Sequence, residues 1–109
     1  MPTRAEPLLE ITFDAEVIHW RGPAPFLFLP VPEEHVGAVR FAARAASYGW
    51  GCVPATATIG GFTFTTSLFP RDGGYLLPLK VAAQRACGAG LGDRVTVSMR
   101  IDDPLPARP

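Results

Sequence analysis

The 109-residue sequence is short of several things, and each shortage excludes a class of protein. It has no formal net charge, because ten Lys+Arg balance ten Asp+Glu. That is not the basic footprint of a general nucleic-acid binder. It has no long apolar run: the longest stretch, Phe26 to Val31, contains Pro30 and is far short of the ~20 residues that cross a bilayer. Cysteine is scarce. Cys52 and Cys87 lie in no metal or redox spacing and read as two buried or half-buried thiols in a reducing compartment. Lysine is scarcer still, with Lys80 alone beside nine arginines. The two histidines, His19 and His35, have no companion at ligand spacing, so no metal site is expected. His19 reads as an ordinary strand-end residue and His35 as a solvated side chain in the first turn of a helix. No Gly-x-Ser-x-Gly is present, and no Gly-Lys-Ser/Thr follows the glycine pairs. Arg4, Glu6 and Pro7 stand where a signal peptide needs an apolar run. A cytoplasmic chain with no membrane partner is the expectation.

What is present is a foldable core. An apolar content of 48% excludes a disordered polyelectrolyte, and the length suits one domain. We place that domain at 8–103, with 1–7 as a loose lead-in and 104–109 as a proline-rich tail. Leu9, Ile11, Phe13, Ala15 and Val17 alternate with Glu10, Thr12, Asp14 and Glu16, which is a strand with one apolar and one acidic face. Phe26 to Leu29 is apolar on both faces and reads as a strand covered on both sides. Pro32-Glu33-Glu34 opens a helix expected at about 33–47: proline suits the first turn, and the carboxylates face the positive end of the dipole. Trp50 to Ile59 reads as a strand that is bulged or at an edge at Pro54, followed by a Gly60-Gly61 hairpin and a return strand over 62–69. Tyr75 to Leu79 is a short strand broken by Pro78. A helical stub at about 81–87 is closed by Gly88, and Val95, Val97, Met99 and Ile101 mark a last half-buried strand. Segments 8–20 and 25–31 form a second natural hairpin.

Six short amphipathic strands with open edges invite aggregation. The expected fold is therefore all-β: a small closed or nearly closed six-stranded, mostly antiparallel β-barrel, with the helix plugging one end.

Two features stand apart from packing. The row Thr63, Thr65 and Ser67 presents hydroxyls on one strand face, opposite Phe62 and Phe64. Lys80 and Arg85 place cations at a strand-to-helix junction. A pocket near Trp50, Ser67, Tyr75, Lys80 and Arg85 is the candidate ligand site, and no catalytic residue is assigned. The helix has two apolar stripes. Val36, Val39, Ala43 and Ala46 form one, and Ala38, Phe41, Ala45 and Tyr48 form the other. Such a helix is either sandwiched or partly used by a partner, so a protein partner or a homodimer through 33–47 would use Val39 and Phe41.

The order of these segments has a likeness. The first half runs Phe13-Asp14-Ala15, a Trp- and Pro-containing hairpin ending Phe28-Leu29-Pro30, a helix, then Trp50-Gly51. The second runs Ile59-Gly60-Gly61, Phe64 to Pro70, Gly73 to Lys80, then Arg85, Gly88 and Gly92 to Val97. Over about residues 8–103 this resembles a bacterial domain-of-unknown-function family, the DUF family numbered nineteen-oh-five. The resemblance implies a small β-barrel in a cytoplasmic bacterial setting, and some members are fused to a bacteriocin-protection, OmpD-associated domain. It implies no activity. Lys80 and Arg85 match the family's basic positions in that segment. Residues 85–97 are also similar to the swapped-hairpin barrels of dimeric antitoxins, which would place Arg94 and Arg100 on one DNA-facing surface. We read the chain as a non-catalytic binding or interaction module that needs no cofactor. The alternatives are a small-molecule or anion-binding protein or enzyme with its pocket near Lys80 and Arg85, and an antitoxin-like DNA-binding dimer.

Overall fold

Each alternating segment of the chain becomes a strand, and each expected helix forms. A computed structural model describes residues 7–20, 26–47 and 51–102. The elements in order are β1 (Leu9–Glu16), β2 (Ile18–Trp20), β3 (Phe26–Pro30), α1 (Glu33–Ala46), β4 (Val53–Ile59), β5 (Phe62–Arg71), β6 (Gly74–Leu79), α2 (Val81–Cys87) and β7 (Arg94–Ile101). The expected lead-in and tail fall almost wholly outside the described residues.

Seven strands stand where six were expected, because the first segment divides at Val17. The sheet order is β1-β7-β4-β5-β6-β3-β2, with every neighbouring pair antiparallel. Its two ends, β1 and β2, are consecutive in the chain with only Val17 between them. The sheet therefore comes back on itself as a nearly closed barrel of six chain passes. Val17 makes the corner: its N–H donates to Asp93 O at 2.8 Å, and its carbonyl accepts from Gly92 N–H at 2.9 Å. The opposite corner is β5, which pairs with β4 over Phe62–Leu68 and with β6 over Phe69–Arg71.

Local chemistry explains the connections. Gly60 and Gly61 have φ of 56° and 86°, and Ile59 pairs with Phe62 across them. Both positions are left-handed, as a two-residue hairpin turn demands. Gly88 closes α2 at φ 66°. Glu33 and Glu34 lie in the first turn of α1 and Arg44 in its last, in keeping with the dipole.

The core is the inward half of each alternation: Phe13, Ala15 and Val17, then Val97, Met99 and Ile101, then Val53, Ala55, Ala57 and Ile59, with Leu29, Leu68, Leu77 and Leu79. α1 packs against β1, β4 and β6. Those strands are separated from one another in the sheet, so the helix lies across an opening of the barrel rather than along a flat face. Its contact face is Val36, Val39, Ala42, Ala43 and Ala46, whose small side chains allow close approach.

Four expectations are corrected. Val39 is 0% exposed, so it is core and not a partner contact. His35 is half-buried rather than solvated, its ring 6.1 Å from that of Phe13 at a tilt of 41°. β4 starts at Val53, after a turn at Gly51, and Trp50 lies outside the described residues. Pro78 does not break β6, which continues to Leu79 in register with Leu27.

Candidate functional site

Antiparallel pairing saturates backbone donors until a residue without an N–H interrupts it. Two such residues, Pro54 in β4 and Pro78 in β6, line an opening in this barrel. The β5–β6 ladder runs from Arg71↔Gly74 to Phe69↔Leu76 and stops there. Pro78 O accepts a long hydrogen bond from Thr66 Oγ1 at 3.5 Å, so the carbonyl of Pro78 faces β5. In a strand the N and O of one residue point to the same side, so the donor that proline lacks is missing from the β5–β6 seam. The β3–β6 ladder, with Phe28 opposite Pro78, continues on the other side. On β4 the ladder with β7 covers only Thr56–Thr58 and ends before Pro54.

Two adjoining depressions occupy these openings. One, of about 540 Å³, is lined by Pro54, Thr65, Thr66, Ser67, Pro78 and Lys80. The other, of about 210 Å³, shares Pro54, Thr65 and Thr66 and adds Ala46, Ala55, Thr56, Arg100 and Asp102. Thr66 is only 8% exposed and forms the floor. Alternation along β5 turns Thr63, Thr65 and Ser67 outward. In β4, Thr58 Oγ1 lies 2.8 Å from Thr63 Oγ1, while Thr56 is in register with Thr65. Asp102 is engaged by Arg100, Nε to Oδ1 at 3.0 Å. Lys80 is exposed; its carbonyl accepts from Gln84 N–H at 2.9 Å, while its ammonium has no hydrogen-bond or ion-pair partner among the described residues.

Of the residues singled out in the sequence, the structure brings Ser67 and Lys80 together. Tyr75 is buried at the other end of β6, five positions and roughly 16 Å of strand from Lys80. Arg85 is exposed on α2 and lines none of the depressions described here. Trp50 is not among the described residues. Thr65 and Ser67 belong to the hydroxyl row noted in the sequence, whereas sequence reasoning missed Thr66 as a lining residue, and Arg100 with Asp102. Pro54 and Pro78 were the available signal, although Pro30 and Pro70 also lie in strands and stay within their ladders, opposite Leu76 and Tyr75.

The outward face of β1 and β7 carries both signs of charge, Glu10, Asp14 and Glu16 against Arg94 and Arg100. Arg94 pairs across the strands with Glu16, and Arg100 with Glu10; Thr96 Oγ1 donates to Asp14 Oδ1 at 2.6 Å. A further depression of about 380 Å³ gathers Asp14, Glu34, His35 and Arg94 beside Phe13. Among the described residues, no group of three or more His, Cys, Asp or Glu is placed to hold a metal ion. No buried side-chain polar atom among them lacks a partner, and no helix is long and apolar enough to cross a membrane.

Residues 13–99, from the middle of β1 to the end of β7, match the model of a family described as Domain of unknown function (DUF1905). No curated protein matches the chain.

Proposed function

We propose that the chain, which belongs to that family, is a non-catalytic binding module that takes a small anionic ligand in the parted β5–β6 seam. The carrying observation is Lys80: the single lysine, exposed, its ammonium without a partner among the described residues, at a depression whose other polar groups are hydroxyls. An ammonium beside Thr65 and Ser67 offers one charge and neutral donors to an oxyanion. What supports a non-catalytic role is the lining itself. The larger depression is lined by hydroxyls, prolines and one lysine, and Asp102 of the adjoining depression is engaged by Arg100. Against the DNA-binding alternative, Glu16 and Glu10 oppose the two arginines that would have faced a phosphate backbone. A cytoplasmic setting accords with this reading, and the free thiols Cys52 and Cys87 support it.

Thermal unfolding in phosphate, in sulfate and in a neutral sugar tests the proposal. An anion at ten times its Kd should stabilise the fold by about 1.4 kcal/mol, a rise of several degrees in Tm, and the sugar should not. Lys80→Ala should remove the rise. A rise of equal size in that variant, or none in the parent protein, overturns the assignment.

A further inference from the structure

Independently of the seam, α1 carries two local anomalies that a single copy of the chain does not explain. At about 100° per residue, Val36, Val39, Ala42, Ala43 and Ala46 define the core face, and Glu34, Gly37, Phe41 and Arg44 lie near the opposite pole. Phe41 is 71% exposed. Its ring touches the Arg44 guanidinium, 5.6 Å from the centroid, and is otherwise turned to solvent. Gly37 stands one turn away in the helix interior, where glycine costs roughly 0.5–1 kcal/mol relative to alanine. A Cβ built on Gly37 would meet nothing within 4 Å, so no contact among the described residues calls for glycine there. The pole thus bears a protruding ring flanked by Arg44 and a notch that nothing among the described residues fills.

We propose that this pole is a self-association surface, on which two copies pack their α1 helices antiparallel about a two-fold axis with each Phe41 seated on Gly37 of the other copy. The register is what commits the site to a second copy. Position 39 is the midpoint of Gly37 and Phe41, and it is also the midpoint of Glu34 and Arg44. A two-fold axis at that level therefore opposes Phe41 to Gly37 and Glu34 to Arg44 together, and symmetry repeats both pairs. Glu34 and Arg44 lie too far apart on one helix to pair within it, since helical partners are three or four residues apart. Ala38 and Ala45 beside this pole leave room for close approach. One helix pair buries less than the ~1,200 Å² of a standard stable interface, so the dimer is weak and concentration-dependent.

Sedimentation velocity at low salt, over a micromolar to millimolar series, tests this. The parent chain should pass from monomer to dimer. Phe41→Ser should hold it monomeric without lowering Tm, because the ring is exposed in the monomer. Glu34→Arg and Arg44→Glu should each weaken association at least tenfold, and the double variant should recover it. Gly37→Ala should raise the Tm of dilute protein and weaken association, opposite signs that a purely structural role does not produce. A monomer throughout the series, undiminished association in Phe41→Ser, or no recovery in the double reversal would overturn the proposal.

Discussion

Pro78 and Lys80 are two residues apart and make different contributions to one feature. The ring of Pro78 removes a donor from the side of β6 that faces β5, and the seam parts. Lys80 then supplies a charge at the opening. Pro78→Ala would return the N–H to that side. The expected outcome is an amide at position 78 that becomes protected in hydrogen exchange, with weaker anion binding as the seam narrows. An amide that exchanges freely would show that the proline does not hold the seam open. Lys80→Ala should leave stability within about 0.5 kcal/mol, as surface changes do. Leu77 is fully buried one residue from Pro78 and faces the core. Leu77→Ala should cost about 2–5 kcal/mol in urea unfolding, the usual cost of a core cavity. The sequence marked a short strand over Tyr75 to Leu79 but not which of its residues turn inward, since Tyr75, Leu76 and Leu77 are buried in succession. The company Lys80 keeps was not legible. Thr65 and Thr66 precede it by a hairpin and a strand, and only the β5–β6 register brings them near.

Elements followed local rules closely. The hairpin at Gly60-Gly61, the cap at Gly88 and the start of α1 all form where turn and dipole chemistry put them. Gly61→Val would force a β-branched side chain into φ 86° and should cost about 1–2 kcal/mol or more, read as a lowered urea midpoint with unchanged m-value. If the midpoint holds, the turn tolerates another geometry. The two stripes of α1 show where element-scale reasoning ended. Periodicity displayed Val39 and Phe41 as equals, because both are apolar on helical spacing. Docking across β1, β4 and β6 buried one and left the other in solvent. His35 was misjudged for the same reason, since Phe13 reaches it from β1.

For the whole molecule, closure is the decisive event. β1 and β2 are one extended segment that supplies both ends of the strand order, so the sheet curls back on itself within one chain. Val17→Pro would delete the hydrogen bond to Asp93 O at the corner where the ends meet. The expected outcome is loss of cooperative unfolding, or a fall of about 3 kcal/mol or more, in calorimetry. A variant that unfolds as cooperatively and as late as the parent would show that the corner is dispensable. Alternation, turn glycines and the shortage of charge and cysteine were enough to specify an all-β barrel with a helix and a stub, because side-chain period and backbone sterics are local quantities. What tertiary structure alone decided was which stripe of α1 faces solvent, where β5 and β6 separate, and that the first strand splits at Val17. Each of these depends on which distant backbone runs alongside, and neither spacing nor composition carries that information.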